Sequence, residues 1–276
     1  MRVVFQLLFL LVCALPCVSQ PLKVMTYNIR LDTPVDSINQ WPKRSHKVFQ
    51  LIRKYDPDIL GIQEAIYHQL TDLLHSFPEY SYIGVGRDDG KTKGEFSAIL
   101  YKKNRFNAEN QNTFWLSEHP EIPGSKNWDA AITRVASWGK LRDTKTNELF
   151  LVINTHFDHI GKEARRKSAE LLKLKASELG AGLPVIITGD FNCTRQEPPY
   201  AAIVQGDGIK LIDTAPASPP GTFCGFKVNS MECRGIDYIF HSPQWATTGY
   251  TVIEDNDGQY YPSDHLPVQA TLQLRK

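Results

Sequence analysis

The sequence lacks several features that point to particular classes of protein. Its formal net charge is +1 over 276 residues, so no global excess of positive charge marks a nucleic-acid binder. No stretch after the N-terminal segment is long and apolar enough to cross a membrane. It has no G-x-S-x-G motif, no glycine-rich phosphate loop and no zinc-spaced pair of His or Cys. Serine-hydrolase, P-loop and zinc chemistry are therefore disfavoured.

The N-terminal segment has the pattern of an export signal. Arg2 precedes an apolar core that runs to about Leu15 and is too short to span a bilayer. We expect a signal peptide at residues 1–19 and an exported protein that is periplasmic, cell-surface or secreted. The alternative, a lipoprotein anchored through Cys17, is weakened by the preceding Pro16.

Three cysteines follow that segment, and export permits disulfides. Cys224 and Cys233 flank a short loop that is easily bridged, whereas Cys193 lies beside a polar cluster. We expect a Cys224–Cys233 disulfide and a free Cys193, although the sequence leaves other pairings open.

No linker or composition break divides residues 20–276, so we expect a single domain. Strands outnumber helices, and helices fall between strands in both halves. This order favours an α/β sandwich of two packed sheets with outer helices over a barrel of eight βα units. The expected helices are SHKVFQLIRKY, IYHQLTDLLHSF, KEARRKSAELLKLKASELG and a short one near EPPYAAIVQ. In the long helix we expect an inward stripe of Leu171, Leu172, Leu174 and Leu179.

Six polar clusters follow apolar runs that are typical of buried strands. They contain Asn28; Glu64; His156; Asp190 and Asn192; Asp237; and Asp264 with His265. Polar groups at the ends of buried strands are costly unless they are paired, bind metal or face a cleft. Because all are carboxylate, amide or imidazole groups, they indicate one metal-assisted hydrolytic centre.

Asn28 and Glu64 follow two strands that we expect to lie side by side. Their oxygens are hard ligands that suit Mg²⁺, with Mn²⁺ as the alternative, and we expect Asp264 near the same metal. Taken alone, Asn28 is also compatible with an Asx turn and Glu64 with a helix-start carboxylate.

The remaining clusters offer proton transfer and phosphate contacts. Asp190 in GDFN can orient or deprotonate a water, and Asn192 can hold a phosphate oxygen. His265 fits a proton carrier or phosphate ligand whose ring is held by Asp237, and His156 is a second imidazole for the phosphate or leaving group. Each is also compatible with a purely structural role.

In this order, the motifs resemble those of the endonuclease/exonuclease/phosphatase superfamily, which shares the fold of pancreatic deoxyribonuclease. The resemblance covers the whole mature chain and implies a four-layer α/β sandwich of two packed mixed β-sheets, with a divalent-metal phosphoesterase site at one sheet edge. QWPKR, FWLSE, NWDAAITRVASW and THFDH resemble a secreted bacterial branch. The resemblance implies metal binding by Asn28 and Glu64, water activation by Asp190, phosphate contacts by Asn192, His156 and His265, and pairing of Asp237 with His265.

Substrate contacts are harder to place. Arg134 stands where some nuclease members have a phosphate ligand, and it is either a phosphate clamp or a sheet-surface ion pair. Trp128 either stacks on a sugar or base or caps the core. The polar and aromatic residues expected nearest a substrate are Arg87, Glu95, Trp128, Asp158, His159 and Arg165.

We therefore expect an exported, magnesium-dependent phosphoesterase that hydrolyses small phosphate esters, including sugar phosphates. A nuclease is the alternative, since a local basic groove is invisible in the net charge. A lipid-headgroup enzyme is disfavoured because no exposed apolar loop is evident. A non-catalytic binding protein is disfavoured because every core group is present. We expect a monomer without stable membrane insertion.

Overall fold

The computed structural model describes residues 20–275, and the expected signal peptide at 1–19 lies outside them. Within that range the chain forms twelve β-strands and four α-helices. The strands are β1 (Leu22–Asn28), β2 (Ile59–Ala65), β3 (Tyr80–Ile83), β4 (Phe96–Lys102), β5 (Phe106–Trp115), β6 (Val135–Asp143), β7 (Leu149–His156), β8 (Val185–Asp190), β9 (Ile212–Asp213), β10 (Asp237–His241), β11 (Trp245–Val252) and β12 (Val268–Leu274). The helices are α1 (Trp41–Tyr55), α2 (Tyr67–Ser76), α3 (Lys162–Gly180) and α4 (Pro198–Gln205), and a 3₁₀ helix covers Pro34–Asn39.

The strands build two mixed sheets of six strands each. One sheet has the order β11-β12-β1-β2-β4-β3, and the other has the order β5-β6-β7-β8-β10-β9. β1 pairs with β2 in parallel, and β7 pairs with β8 in parallel. Parallel neighbours need a crossover connection, and α1 and α3 provide it. Because the connected strands run the same way, the ends of β1 and β2 meet at one edge, as do those of β7 and β8.

Three apolar layers hold the sheets and helices together. Alternate residues of β1 illustrate the arrangement, since Met25 packs with α1 and α2 whereas Val24 faces the opposite sheet. On the other side, Leu172 of α3 packs with Ile153 of β7 and Ile187 of β8. The result is the expected four-layer α/β sandwich of two packed sheets with outer helices.

A polar layer interrupts the apolar interface between the sheets. Asn154 of β7 donates from Nδ2 to the carbonyl oxygens of Ile62 (2.8 Å) and Ala98 (2.9 Å) in the opposite sheet. Its Oδ1 accepts from Gln63 Nε2 (2.7 Å) and Thr188 Oγ1 (2.9 Å). The members of this layer lie one or two positions before the polar strand-end residues His156, Glu64 and Asp190. The layer therefore aligns the two sheet edges.

The observed elements correct the expected ones in a few places. The sequence pattern predicts a strand at TFWLSE, but β5 begins earlier, at Phe106, because its exposed polar stretch hides the strand pattern. Leu174 does not belong to the inward stripe of α3, since its side chain is 54% exposed and Ala169 and Ala176 pack inward with Leu172 instead. No helix within residues 20–275 combines the length and apolar character that a membrane span requires.

Candidate active site

The strand-end residues from both sheets converge on one place. Asn28 ends β1, Glu64 lies near the end of β2, His156 ends β7 and Asp190 ends β8. β10 runs antiparallel to β8, which places Asp237 directly opposite Asp190 in the ladder. The edges of the two packed sheets therefore present these side chains to a common space.

Asn28 is the contact point between the two sheets at this edge. Its buried Nδ2 donates to Glu64 Oε1 (2.9 Å) and Asp190 Oδ2 (3.0 Å), and it lies 3.4 Å from His265 Nε2. Its Oδ1 accepts from the backbone N–H of Arg30 at 3.0 Å. One amide thus fixes the two carboxylates relative to each other, although Asp190 is 162 residues away from Asn28 in the chain.

Asp190 is a fully enclosed carboxylate at the centre of the site. Its Oδ1 accepts from the backbone N–H of Asn192 at 2.9 Å. Burial, followed by the negative charge of Asp237, raises the pKa of Asp190 to about 7, although the charge of His265 opposes this rise. A carboxylate with such a pKa can exchange a proton near neutral pH.

His265 and Asp237 form a buried imidazole–carboxylate pair. His265 Nδ1 lies 2.9 Å from Asp237 Oδ2, and Nε2 points towards Asp190 Oδ2 at 3.7 Å. Burial opposes the charged imidazole, but Asp237 and then Asp190 raise the pKa of His265 to about 10. Thr222 Oγ1 donates to Asp237 Oδ2 at 2.6 Å and so orients the carboxylate. His265 therefore carries a proton at neutral pH.

His156 is the opposite case, a buried neutral imidazole. Arg134 Nη1 donates to His156 Nδ1 at 2.8 Å, so the ring proton resides on Nε2, which lies 3.3 Å from Asp190 Oδ2. Burial and then the charge of Arg134 hold the pKa of His156 well below 6.5. The Asn192 amide nitrogen lies 3.0 Å from Nε2 and donates to the carbonyl oxygen of Phe157.

Glu64, Asp264 and Arg30 line the other side of the site. Arg30 is paired with Asp36 through two contacts of 2.9 and 3.0 Å, and it approaches Glu64 (3.7 Å) and Asp264 (3.9 Å) more loosely. Burial raises the pKa of Asp264, since ionisation is costly in this crowded anionic site. Burial opposes ionisation of Glu64 as well, but His265 and Asn28 hold its pKa below the ordinary value.

The donor set fits a hard divalent cation. Glu64, Asp264 and Asp190 supply carboxylate oxygens, and the anionic charge exceeds what Arg30 compensates nearby. A second cluster of donor atoms, from Asp190, Asp237 and His265, falls within 4.8 Å. His265 Nδ1 is already engaged by Asp237, however, so the oxygen-rich side is the better match to a hard cation.

These groups surround a pocket of about 300 Å³. Of the residues expected from the sequence, the pocket is lined by Glu64, Glu95, Arg134, His156, His159, Asp190, Asn192, Asp264 and His265. Asn28 and Asp237 stand behind this lining and bond to it. Arg134 is only 6% exposed, contacts His156 and pairs with Glu95 at 3.5 Å, so it is a pocket residue whose ion pair is buried and not at the sheet surface.

Four expected substrate contacts do not line the pocket, and two of them, Trp128 and Arg165, lie at or beside α3. The segment that carries Trp128 is drawn to the start of α3, because the neighbouring Asp129 accepts from the backbone N–H groups of Glu163 and Ala164. Arg165 is buried on α3 and donates to the carbonyl oxygen of Asp158 at 3.1 Å.

Asp158 and Arg87 support the pocket from outside it. Asp158 accepts four backbone N–H groups, those of Ala131, Ile132, Ile160 and Gly161, and so ties two loops together. Arg87 pairs with Glu95 at 2.5 Å.

Three charged or aromatic pocket residues escaped the sequence reasoning, as did the aliphatic Leu31, Ile132 and Ile236. Arg30 directly follows the NI of the Asn28 motif, and its position in NIR was the available signal. Phe223 and Arg234 lie next to the two half-cystines of the confirmed Cys224–Cys233 disulfide, and no local pattern marks them. Cys193 is free and buried, as expected.

Comparison with known proteins agrees with this fold. The chain matches the model of the Endonuclease/Exonuclease/phosphatase family over residues 25–265. A solved structure of a family protein from Bacteroides thetaiotaomicron is 41% identical, with a TM-score of 0.88, and the match covers 94% of this chain and 99% of that chain. A mannosyl-6-phosphatase from the same organism is 42% identical, with a TM-score of 0.85 and coverage of 91% and 99%.

A probable RNA exonuclease of Saccharomyces cerevisiae is 29% identical over 210 residues. That match covers 68% of this chain but only 40% of the yeast protein. The family match, in contrast, includes both sheets and every strand end that contributes to the site. The chain therefore belongs to the endonuclease/exonuclease/phosphatase family.

Proposed function

We propose that the protein is an exported, divalent-metal-dependent phosphoesterase that hydrolyses small phosphate monoesters, sugar phosphates among them. The observation that carries this proposal is the pairing, in one pocket, of Asp190, a carboxylate with a pKa near 7, and His265, an imidazole held protonated. The two groups lie 3.7 Å apart at their nearest atoms. Asp190 serves as the base, and His265 provides the positive charge that binds the phosphate.

The chain offers positive groups for the phosphate on two sides of the pocket. His265 contributes an N–H from Nε2, because Nδ1 is engaged by Asp237. Arg134 lies opposite, beside His156, with Nη2 3.5 Å from His159 Nδ1. Charge-assisted hydrogen bonds from these donors hold phosphate oxygens and gain strength as negative charge develops on them.

Asp190 is placed to accept the proton of an attacking water. Asn28, Asn192 and His156 hold both carboxylate oxygens in position. His265 is the proton donor nearest to the leaving oxygen, and Asp237 returns its ring to the same orientation after each turnover. His156 stays neutral and positions Asp190 and Arg134.

A divalent cation would be held by Glu64 and Asp264, with Asn28 bonded to Glu64. Such a cation supplies positive charge that neutralises phosphate oxygens during hydrolysis. We propose Mg²⁺, with Mn²⁺ as the alternative, because the ligands are hard oxygen donors.

Small esters are favoured over nucleic acid for two reasons. The pocket of about 300 Å³ is at the lower end of the range for small-molecule sites. The chain is also 42% identical to a mannosyl-6-phosphatase over nearly its full length. A nuclease is the second candidate, supported by the likeness to a probable RNA exonuclease.

The test is chelator-controlled hydrolysis by the mature protein, with Mg²⁺ or Mn²⁺, of p-nitrophenyl phosphate, mannose 6-phosphate, bis-p-nitrophenyl phosphate and plasmid DNA. We expect metal-dependent release of phosphate from the monoesters. Asp190→Asn should lower kcat by about 10³-fold, within the range for loss of a general base. Asp207→Asn, which removes an exposed carboxylate outside the pocket, is the matched control. Nicked plasmid without monoester turnover would overturn the proposal in favour of a nuclease.

Export is part of the proposal. The Cys224–Cys233 disulfide supports it, because disulfides persist in oxidising compartments. The mass of the protein recovered from outside the cytoplasm should correspond to cleavage after Ser19. Recovery of the uncleaved chain from the cytoplasm alone would contradict export.

A further inference from the structure

A second and larger cavity lies beside the catalytic pocket. It measures about 620 Å³, and its lining includes Gln196, Pro219, Glu232, Arg234 and Tyr250. Arg234 also lines the catalytic pocket, so the two spaces meet at its side chain.

The wall between the two spaces is a short ladder closed by the disulfide. Phe223 and Arg234 pair in antiparallel fashion, each donating its N–H to the other's carbonyl oxygen at 2.9 Å. The bond between Cys224 and Cys233 ties the ladder at the next residue on each side. Phe223 also bridges to His265, and their ring centroids lie 4.9 Å apart. The ladder is therefore held rigidly against the catalytic imidazole.

Residues of the ladder alternate between the two spaces. Phe223 and Ile236 line the catalytic pocket, whereas Thr222 and Gly235 line the cavity. Arg234 lines both. A substrate whose phosphate reaches His265 would pass Phe223 and then Arg234 before entering the cavity.

Arg234 is available to a ligand, unlike the other arginine of the cavity. Arg195 is engaged by Asp213 (2.7 Å) and by the carbonyl oxygens of Pro216 and Ala217. The Arg234 side chain is exposed and makes no hydrogen bond or ion pair with any residue between 20 and 275. A free guanidinium at the junction of two cavities is a natural donor to substrate oxygens.

The chemistry of the cavity fits a polyhydroxylated ring. Pro219, Pro220 and Tyr250 provide apolar and aromatic surface, and Gln196, Ser218 and Glu232 provide hydrogen-bonding groups. Asp237 also lines the cavity, and its Oδ1 has no hydrogen-bond partner among the described residues. Sugar rings combine apolar C–H faces with hydroxyl donors, which matches both kinds of lining.

We propose that Arg234 and this cavity form a second subsite that binds the part of the substrate distal to the phosphate, and that this part is a further sugar unit. The inference rests on the proposed function and refines it, because it names phosphorylated oligosaccharides as the preferred class over free monosaccharide phosphates. Arg234 is then a specificity-determining residue that takes no part in the chemical step.

The test compares kcat and KM for three substrates: p-nitrophenyl phosphate, mannose 6-phosphate and a mannose disaccharide that carries a 6-phosphate. The wild-type protein should show a KM for the disaccharide phosphate about tenfold below that for mannose 6-phosphate. Arg234→Gln should raise the KM for the disaccharide phosphate about tenfold, which equals about 1.4 kcal/mol for one charge-assisted hydrogen bond, and leave its kcat within twofold. The KM for p-nitrophenyl phosphate should rise less, because that substrate does not extend into the cavity.

Two further variants test whether the effect is specific to the cavity. Lys227→Gln removes an exposed charge from the same disulfide-closed loop but lines neither space, so all three KM values should stay as in the wild type. Ala217→Trp fills the cavity from an exposed position and should weaken only the disaccharide phosphate.

Equal KM values for the two sugar phosphates in the wild type, or equal effects of Arg234→Gln on all three substrates, would overturn the subsite while leaving the proposed function intact. A wild-type protein that hydrolyses none of the three would overturn the proposed function, and the subsite with it.

Discussion

Replacing Asn154 by leucine tests whether the polar layer between the sheets positions the active site. Asn154 is fully buried and makes four hydrogen bonds of 2.7–2.9 Å, all to the opposite sheet or to the neighbouring strand β8. Leucine has a similar volume but offers none of them. The carbonyl oxygens of Ile62 and Ala98 would lose a donor, and Gln63 and Thr188 would lose an acceptor.

The expected loss of stability follows from the number of hydrogen bonds that the substitution removes. At about 1 kcal/mol net for each buried hydrogen bond, Asn154→Leu should lower the free energy of unfolding by about 3–4 kcal/mol, part of the loss being offset by the greater apolarity of leucine. Urea denaturation followed by far-UV circular dichroism measures this change as a shift of the midpoint. Asn110→Leu, at an exposed position of β5, is the matched control and should change stability by no more than about 0.5 kcal/mol.

The same variant should lose activity while still folded. His156 and Glu64 lie next to the polar layer on strands of opposite sheets, so a relative shift of the sheets separates them. A misplacement of about 1 Å at a reacting centre can cost about 10²-fold in rate, and we expect kcat/KM to fall at least tenfold. A change in unfolding free energy below about 1 kcal/mol together with wild-type kcat/KM would refute the reasoning, since buried unsatisfied groups carry a larger cost than that.

Other predictions concern packing, the imidazole–carboxylate pair and pH. Gly61→Ala places a methyl group 2.2 Å from Thr188 Oγ1 and should cost about 1–3 kcal/mol by urea denaturation, whereas Gly235→Ala, which meets nothing within 4 Å, should cost less than 1 kcal/mol. Thr222→Val removes the 2.6 Å hydrogen bond to Asp237 and should lower kcat about tenfold, and Thr222→Ser should restore it; equal kcat values would contradict the positioning role. Burial lowers the pKa of His241 below 6.5, so the unfolded chain binds that proton more tightly and the free energy of unfolding falls as pH decreases below about 6.5. His241→Gln should remove this part of the acid sensitivity, and identical pH dependences for both proteins would exclude it.

The sequence alone predicted the fold class, most elements and the polar residues that meet at the strand ends of the two sheets. α3 and β7 lie where their patterns predict them, because periodicity of apolar residues and flanking turn residues are local properties. Asn28 and Asp190 were recognisable for the same reason, since each ends an apolar strand. A polar group in that position is costly unless it is paired, binds metal or faces a cleft, which marks it as a candidate site residue.

Only the tertiary structure decided the proton affinity of each of those groups and which residues surround them. The different proton affinities of His156 and His265 come from Arg134 on one side and from Asp237 and Asp190 on the other, contacts made between distant parts of the chain. The placement of Trp128 away from the pocket depends on how its loop is anchored to α3, and the availability of Arg234 depends on the disulfide-closed ladder. Local sequence patterns do not encode these features, because burial and charge environment are set by residues that are remote in sequence and adjacent only after folding.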